Sequence, residues 1–242
     1  MQTFITLLRR ELGTFFVSLT GYLIITAATF LVSLGFVVML VRMADGPTNS
    51  PITEMFFATP FFWLILLLAF PVITMRLFSG EYTGRTMELL MTLPLTARQI
   101  VLGKYLGAAT ILLLMTAATA INLIPLYLYG NPETKTILSG YIGFLLLGLA
   151  CLAVGQLFSS LVQNQIIAAL ITVPVLLSFW FVGHLQSFQT DYILRGLFGY
   201  LSFAQHFGDF VRGLIRSEAV VFYLVVSAIA LALNVSYLQW RR

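Results

Sequence analysis

Few side chains in this sequence are of the kinds that hold metals or attack substrates. Its only histidines are His184 and His206, and its only cysteine, Cys151, lies inside an apolar run. Metal sites normally use three or four ligands, so we expect these residues to pack or to form hydrogen bonds. Ser159 and Ser160 have no accompanying base, so hydrogen bonding between helices is also their expected role. The residue types favour neither a metal site nor nucleophilic catalysis.

ATP binding by the chain itself is also not expected. A phosphate-binding loop reads G-x-x-x-x-G-K-[ST]. Gly103 and Lys104 are followed by Tyr105, and the earlier glycine is missing at the required spacing. We therefore expect no cofactor in this chain and no enzymatic activity.

The segment best suited to contact a partner is residues 81–98. Within it, residues 86–93 predict a short helix with Met87, Leu90 and Met91 on one side. A short amphipathic helix can dock into a groove on another protein. An ordinary connecting loop is the alternative.

The ends of this short helix are marked by residues with strong backbone preferences. Gly84 precedes it, and Pro94 is expected to end it because proline disfavours helical backbone in the residue before it. Thr96 has a side chain that can cap the N-terminus of the next helix.

Two acids in the segment are candidates for ion pairs. Glu81 is expected to hold the loop through Arg85 or Arg98, and Glu88 to meet a basic residue of a partner or to cap local backbone. Exposed pairs contribute only about 0–1 kcal/mol, so apolar anchors should matter more than charge.

The elements that position these residues are predicted from composition. Hydrophobic residues make up 60% of the 242 residues and charged residues 9%, whereas soluble domains carry about 25% charged residues. The run 64–68 is continuously apolar, which does not fit the alternating pattern of a membrane β-barrel. Only helices satisfy their own backbone groups in lipid, so the sequence predicts an all-α integral membrane protein with one compact domain, 1–242.

Charge-free stretches divide the chain into six predicted spans, since an ionised side chain in mid-bilayer is costly. The stretch 136–190 is too long for one crossing, and Gln163, Asn164 and Gln165 mark a turn near its middle. The predicted spans are 14–41, 55–75, 99–128, 137–160, 165–185 and 219–240.

Two further segments outside these spans, residues 1–13 and 186–217, have distinct patterns. Residues 1–13 predict an interfacial amphipathic helix, with Arg9 and Arg10 away from its apolar face and able to reach anionic headgroups. A disordered tail is the alternative. The apolar face comprises Phe4, Ile5, Leu8, Leu12, Phe15 and Phe16. Residues 186–217 are too polar for a span and too apolar for a free loop, which favours a re-entrant or interfacial helical hairpin on the outer face.

The distribution of basic residues predicts the orientation. With the N-terminus in the cytoplasm, eight basic residues lie inside and five outside, in agreement with the positive-inside rule, and both termini are cytoplasmic. The inside set is Arg9, Arg10, Arg76, Arg85, Arg98, Lys104, Arg241 and Arg242, and the outside set is Arg42, Lys135, Arg195, Arg212 and Arg216. They form no patch with interleaved aromatics, so no nucleic-acid partner is expected.

The segment 81–104 resembles the loop between spans two and three of the ABC-2 type transporter permeases. The family pattern is E-x-x-x-G-T-x-E-L-L-x-T-x-P followed by I-V-x-G-K, and this chain departs from it because Arg85 stands between Gly84 and Thr86. The matching residues are Glu81, Thr83, Gly84, Thr86, Glu88, Leu89, Leu90, Thr92, Pro94, Gln99, Ile100, Val101, Leu102, Gly103 and Lys104.

Two further regions resemble the same family in the same order. The N-terminal residues resemble the R-E-L-x-x-F-F-x-S-P-x-G-Y start of the gliding-motility branch, with Leu19 in place of its proline. A region before the last span resembles the pattern H-F-x-x-x-x-R-G. The matching residues are Arg9, Arg10, Glu11, Leu12, Phe15, Phe16, Ser18, Gly21 and Tyr22, and then Phe203, His206, Phe207, Arg212 and Gly213.

This resemblance implies a six-span permease of the inner membrane that works as a dimer and exports its substrate by alternating access. A separate ABC ATPase, which would hold ATP and Mg, drives the motion through the segment 81–98. A second or homologous permease copy, an auxiliary membrane protein and membrane lipids are the other expected partners. The residues implied in coupling are Glu81, Gly84, Arg85, Thr86, Glu88, Leu89, Leu90 and Pro94.

Three other functions remain open at this point. A membrane-embedded enzyme should carry paired ionisable residues within its spans, and the six predicted cores carry none. A secondary transporter usually leaves a carboxylate in the membrane, whereas the acids here lie at edges or in loops. A non-transporting scaffold is compatible with the sequence. Aromatic edges such as Trp63 would suit a lipidic cargo, but aromatic belts are normal at membrane interfaces.

Overall fold

The chain folds into a bundle of helices, with no strand among the residues that the structure describes. The structure is a computed structural model, and it describes residues 2–17, 19–44, 52–57, 59–92, 94–129, 132–185 and 191–241. The helices are α1 (Gln2–Val17), α2 (Leu19–Ala44), α3 (Ile52–Phe57), α4 (Pro60–Thr74), α5 (Ser79–Thr83), α6 (Met87–Thr92), α7 (Ala97–Thr119), α8 (Leu123–Tyr129), α9 (Thr134–Leu161), α10 (Gln165–Leu185), α11 (Tyr192–Leu201), α12 (Phe203–Val211) and α13 (Ser217–Trp240).

Helix α9 is the centre of the bundle, packing against α4, α7, α10, α12 and α13. The buried share of the most apolar stretch is 67% in α9 and 28% in α13, so α9 is the inner helix. Glycines allow the close packing. A Cβ at Gly148 would lie 2.8 Å from a methyl group of Leu112, and one at Gly155 would overlap the Thr74 hydroxyl. Side chains at these positions would push α7 and α4 away.

Among the described residues, five helical stretches are long and apolar enough to cross a membrane. They are Gly21–Arg42, Ala97–Leu128, Thr134–Leu161, Gln165–Gly183 and Ser217–Trp240, and they match five of the six predicted spans. The predicted span 55–75 is instead divided into α3 and α4, with a shorter apolar stretch, Phe62–Thr74. Thr59 is extended and Pro60 begins α4, so a proline at a helix start separates the two.

The first span begins later than predicted because α1 continues to Val17 rather than ending at residue 13. A Cβ at Gly21 would overlap the carbonyl of Phe15, so glycine permits the close approach of α1 and α2. Helix α1 packs on α7, and its Leu7 is buried. Leu7 is not part of the predicted apolar face, of which Leu8 and Leu12 are half-buried and the side chains of residues 4 and 5 lie outside the described residues.

The third predicted span corresponds to the candidate stretch Ala97–Leu128, which is not a single regular helix. A 3₁₀ turn, Ala120–Asn122, joins α7 to α8. Pro125 follows, and a proline within a helix clashes with the carbonyl four residues earlier, at Ile121. The predicted cap is confirmed. The Thr96 hydroxyl accepts from the Gln99 amide at 3.3 Å, and the Gln99 side chain accepts from the Thr96 amide at 2.9 Å.

The predicted turn at 163–165 is confirmed. Val162 is extended after the end of α9, and the Asn164 side chain accepts from the Ile166 amide at 2.9 Å at the start of α10. At the opposite end of the bundle, the predicted hairpin segment contains α11 and α12, whereas its residues 186–190 lie outside the described residues. Helix α12 packs against α9 and α10, with Phe203 and Phe210 buried.

Candidate functional site

The segment 81–98 lies at the end of the bundle where α1, α5, α6 and the end of α13 meet. Helix α5 ends in a Schellman turn, in which the Thr86 amide donates to the Glu81 carbonyl at 3.0 Å and the Arg85 amide to the Tyr82 carbonyl at 3.2 Å. Arg85 has a φ of +54° at the position where such turns favour glycine. The residue that departs from the family pattern therefore occupies the left-handed position of this turn.

Helix α6 places Leu89 and Leu90, both implied in coupling, on different sides. Met87 and Leu90 are buried, as the predicted apolar side requires, and Leu90 is 0% exposed. Leu89 is 67% exposed, and Glu88 beside it is exposed too. Leu90 therefore fixes α6 to the bundle, while Leu89 and Glu88 face outward.

Hydrogen bonds of Ser159 join the start of α5 to the end of α9. Its hydroxyl accepts from the amides of Phe78 and Ser79, both at 3.1 Å, and donates to the Met75 carbonyl at 3.1 Å. The Ser79 hydroxyl donates to the Val162 carbonyl at 2.8 Å. The predicted inter-helix hydrogen bonding is confirmed for Ser159. Ser160 instead bonds within its own helix, to the Leu157 carbonyl.

Four charged side chains from α1, α5 and α7 form a charge cluster consisting of Arg10, Glu11, Glu81 and Lys104. Lys104 Nζ lies 2.7 Å from Glu11 Oε1 and 3.0 Å from Glu81 Oε1. Arg10 Nη2 lies 3.1 Å and 3.3 Å from the two oxygens of Glu81. The Lys104 side chain is 1% exposed, Glu81 10%, Glu11 15% and Arg10 48%. The cluster therefore links the N-terminal helix to α5 and α7.

The cluster corrects the expected partners of Glu81. Arg85 and Arg98 are both exposed, whereas Glu81 is bound by Lys104, Arg10 and the Thr86 hydroxyl. Burial raises the pKa of the Glu81 carboxyl, but Lys104, Thr86 and Arg10 outweigh it, so its pKa lies below the ordinary value. Glu81 therefore remains a carboxylate that accepts hydrogen bonds.

Lys104 was missed as a site residue because sequence reasoning used it only as an orientation signal, in a family pattern and in excluding a phosphate-binding loop. A signal was present, since Lys104 lies inside the predicted span 99–128 and a charge in a span is usually paired and functional. Its partners Glu11 and Glu81 lie outside the predicted spans, so the expectation that the span cores contain no paired ionisable groups is not contradicted.

A groove of about 830 Å³ borders α6, lined among others by Arg85, Glu88, Met91 and Gln163. Arg241, just after α13, closes one side. Its guanidinium lies 4.8 Å from the Tyr82 ring centre and donates to the Tyr82 hydroxyl. Burial raises the pKa of Tyr82, although Arg241 opposes the rise. The groove thus has apolar, acidic and basic groups in reach of a partner. Gly84 and Pro94 flank α6 and are exposed, and Arg9 on α1 is exposed as well.

The candidate residues of the opposite end have structural contacts. His206 stacks on Phe222 with ring centres 4.3 Å apart and bonds the Tyr200 carbonyl at 3.0 Å. Phe207 stacks on Phe62 at 5.3 Å. No group of three potential metal ligands occurs among the described residues, and the side chain of His184 is not among those described.

The pair Arg212 and Gly213 ends α12. Gly213 has a φ of +83° in a second Schellman turn, in which the Leu214 amide donates to the Asp209 carbonyl at 2.9 Å. Arg212 reaches Glu54 at 3.5 Å, and the Arg212 side chain is 63% exposed while that of Glu54 is 37% exposed.

The apolar helices and their buried packing define a multi-pass α-helical membrane protein. The sequence model described as ABC-2 family transporter protein matches residues 40–212, well over half of the chain. The chain therefore belongs to the ABC-2 transporter family, and it is a membrane component of an ABC transporter. A comparison with curated proteins gave no match. The N-terminal resemblance at residues 9–22 precedes the matched range, so the gliding-motility branch stays a prediction.

Proposed function

We propose that this chain is the permease subunit of an ABC exporter and moves its substrate by alternating access when a separate ATPase closes against residues 81–98. The observation that carries the proposal is the arrangement of α6, which presents Leu89 and Glu88 outward beside a groove while Leu90 is buried. An outward leucine next to charged groups suits docking to a soluble partner. ATP and Mg belong to that ATPase.

The contacts of α5 and α6 give a route for motion into the bundle. A push on α6 reaches α5 through the Schellman turn, α9 through Ser159, and α1 and α7 through the charge cluster. Because these contacts are short hydrogen bonds and ion pairs, α5 moves together with the helices that it touches. The gating of a transport path would follow from tilting α7 and α4 against α9.

The proposed topology has six spans in the inner membrane, with α4 as the second and both termini in the cytoplasm. This topology is supported by two contacts at the same end of the bundle. Arg10, near one terminus, and Arg241, near the other, both contact α5. An even number of crossings brings both termini to one side. In this topology α1 lies at the interface, and α11 and α12 form the outer re-entrant hairpin. A second copy, and an auxiliary membrane protein, complete the proposed assembly.

The test is a single substitution, Leu89→Asp, in the tagged chain expressed in its native host. ATP hydrolysis that co-purifies with the wild-type chain should be lost, whereas the matched control Leu214→Asp should retain it. Leu214 is also an exposed leucine, 51% against 67%, but it lies after α12 at the other end. A paired change at Leu90 would confuse the result, since a carboxylate there enters the core.

Retention of full ATP hydrolysis by Leu89→Asp would assign docking to another surface. Substrate movement that continues with an ATPase unable to hydrolyse ATP would instead favour the scaffold or secondary-transporter alternatives. Membrane insertion of both variants should be unchanged, because both positions lie outside the candidate spans.

A further inference from the structure

A cavity of about 300 Å³ lies against the charge cluster, between α1, α4, α5 and α7. Its lining includes Arg10, Thr14, Phe15, Arg76 and Gln165. It therefore combines cationic groups, hydrogen-bond donors and an aromatic ring at the end of the candidate spans.

A second feature, the apolar groove, runs between α2 and α4 with a volume of about 250 Å³. Its lining is purely aliphatic and includes Leu23, Ala27, Leu31 and Val72. The groove lies within the apolar stretches Gly21–Arg42 and Phe62–Thr74, so it is at the depth of acyl chains.

The cavity and the groove adjoin along α4. Ala69 lines the groove, and Ile73, one turn later on the same face of α4, lines the cavity. Arg76 follows two residues after α4 ends, so this wall changes from apolar to cationic. On the other side, Phe15 of the cavity packs against Gly21 of α2, two residues before the groove begins.

The charge of the cavity selects the occupant. Its charged lining comprises three cationic side chains and two carboxylates, which leaves one positive charge. The carboxylates are already held by Lys104 and Arg10, and Arg10 uses Nη2 for Glu81 while its side chain is 48% exposed. One phosphodiester brings the lining to zero net charge, and guanidinium groups bind phosphate oxygens well. Anionic lipids are also concentrated in the cytoplasmic leaflet.

We propose that this surface binds one anionic phospholipid, with its phosphodiester at Arg10 and Arg76 and an acyl chain in the groove between α2 and α4. The lipid joins α1 to α4 beside the charge cluster. The inference requires a membrane protein but does not depend on the ATPase, so its outcome is separate from that of the coupling proposal.

The experiment uses the purified full chain in detergent, incubated with phosphatidylglycerol or phosphatidylcholine of the same acyl chains. Native mass spectrometry counts the retained lipids. We expect one phosphatidylglycerol per chain, held at least about tenfold more tightly than phosphatidylcholine, which corresponds to one charge-assisted contact. Equal retention of the two lipids would overturn the proposal.

Two pairs of variants test the two halves of the surface. Arg76→Gln should weaken phosphatidylglycerol binding about tenfold, with Arg42→Gln, exposed in the last turn of α2 and outside both linings, as its control. Ala27→Phe should fill the groove and weaken the same lipid, with Ala232→Phe on the exposed side of α13 as its control. Ala27 is exposed, so the larger ring does not disturb the core.

The pattern across variants identifies the ligand. Loss in Arg76→Gln with full binding in Ala27→Phe, together with displacement by inorganic phosphate, would mean a site for a soluble anion and would refute the lipid assignment. Loss in both variants and in neither control supports it. Unequal unfolding temperatures in lipid-free detergent would point to misfolding of Arg76→Gln, and Ala27→Phe would then decide the question.

Discussion

Removing the cation of Lys104 should destabilise the protein more than any other single change in the charge cluster. In Lys104→Met the apolar part of the side chain is kept, but Glu11 loses its ion pair at 2.7 Å and Glu81 loses one at 3.0 Å. Breaking a buried pair costs about 3–5 kcal/mol, because a buried charge is left uncompensated. Glu81 keeps Arg10 and Thr86, so the lower end, about 3 kcal/mol, is expected.

The sole cysteine supplies the assay. Cys151 is buried in α9, 3% exposed, so a fluorogenic thiol reagent labels it only when the bundle opens. By the size scaling of domains of 150–250 residues, a loss of about 3 kcal/mol lowers the unfolding temperature by about 6–12 °C. The matched control is Lys135→Met, which removes an exposed lysine and should shift it by no more than about 2 °C.

A second substitution separates charge from packing. Adding Glu11→Gln to Lys104→Met removes one of the two stranded charges, so part of the lost stability should return. If Lys104→Met unfolds within about 2 °C of the wild type, or if Glu11→Gln makes the double variant worse, then the ion pairs do not stabilise this fold and the energetic account of the cluster is wrong.

The other predictions concern the same end of the bundle and its counterpart. The pKa of Glu81 is lowered in the folded protein, so its carboxylate stabilises the fold fully above the ordinary pKa of 4.5. This stabilisation is lost as pH falls through the lowered folded value. Glu81→Gln should therefore flatten the decrease of the unfolding temperature at acid pH. Arg85→Gly should raise stability by about 0.5–1 kcal/mol because glycine adopts the positive φ without strain, whereas Gly213→Ala should lower it by at least about 1 kcal/mol. Shifts of the unfolding temperature with the same sign and size in both variants would contradict this. Ser159→Ala leaves two buried amides of α5 without their acceptor and should cost about 2–4 kcal/mol, with Ser160→Ala as the control.

Much of the bundle was predictable because hydrophobic length and capping chemistry act locally. Five spans follow from charge-free stretches, and the Thr96 cap follows from a hydroxyl placed three residues before a glutamine. The turn at 163–165 follows from polar side chains within an apolar stretch. The division between α3 and α4 was missed, since hydropathy does not register where a proline starts a helix.

The site was predictable only in part because its decisive contacts join residues far apart in the chain. Sequence reasoning paired Glu81 with its neighbours Arg85 and Arg98, as local spacing suggests. The observed partners come from α1 and α7, and the Schellman turn directs Arg85 into the groove instead. Leu89 and Leu90 likewise look equivalent in sequence, and only the packing of α6 distinguishes the buried side chain from the exposed one.

The charge cluster also sets an order of events during synthesis. Glu11 and Lys104 are separated by 93 positions, so the carboxylate of α1 is made well before its lysine. At about 5–20 residues per second, the interval is about 5–20 seconds. The whole of α2 is synthesised within that interval, while α1 still lacks the ion pair that joins it to α7. A nascent chain arrested before α7 should therefore hold α1 loosely, and cross-linking of Leu7 to residues of α7 should appear only once Lys104 has emerged.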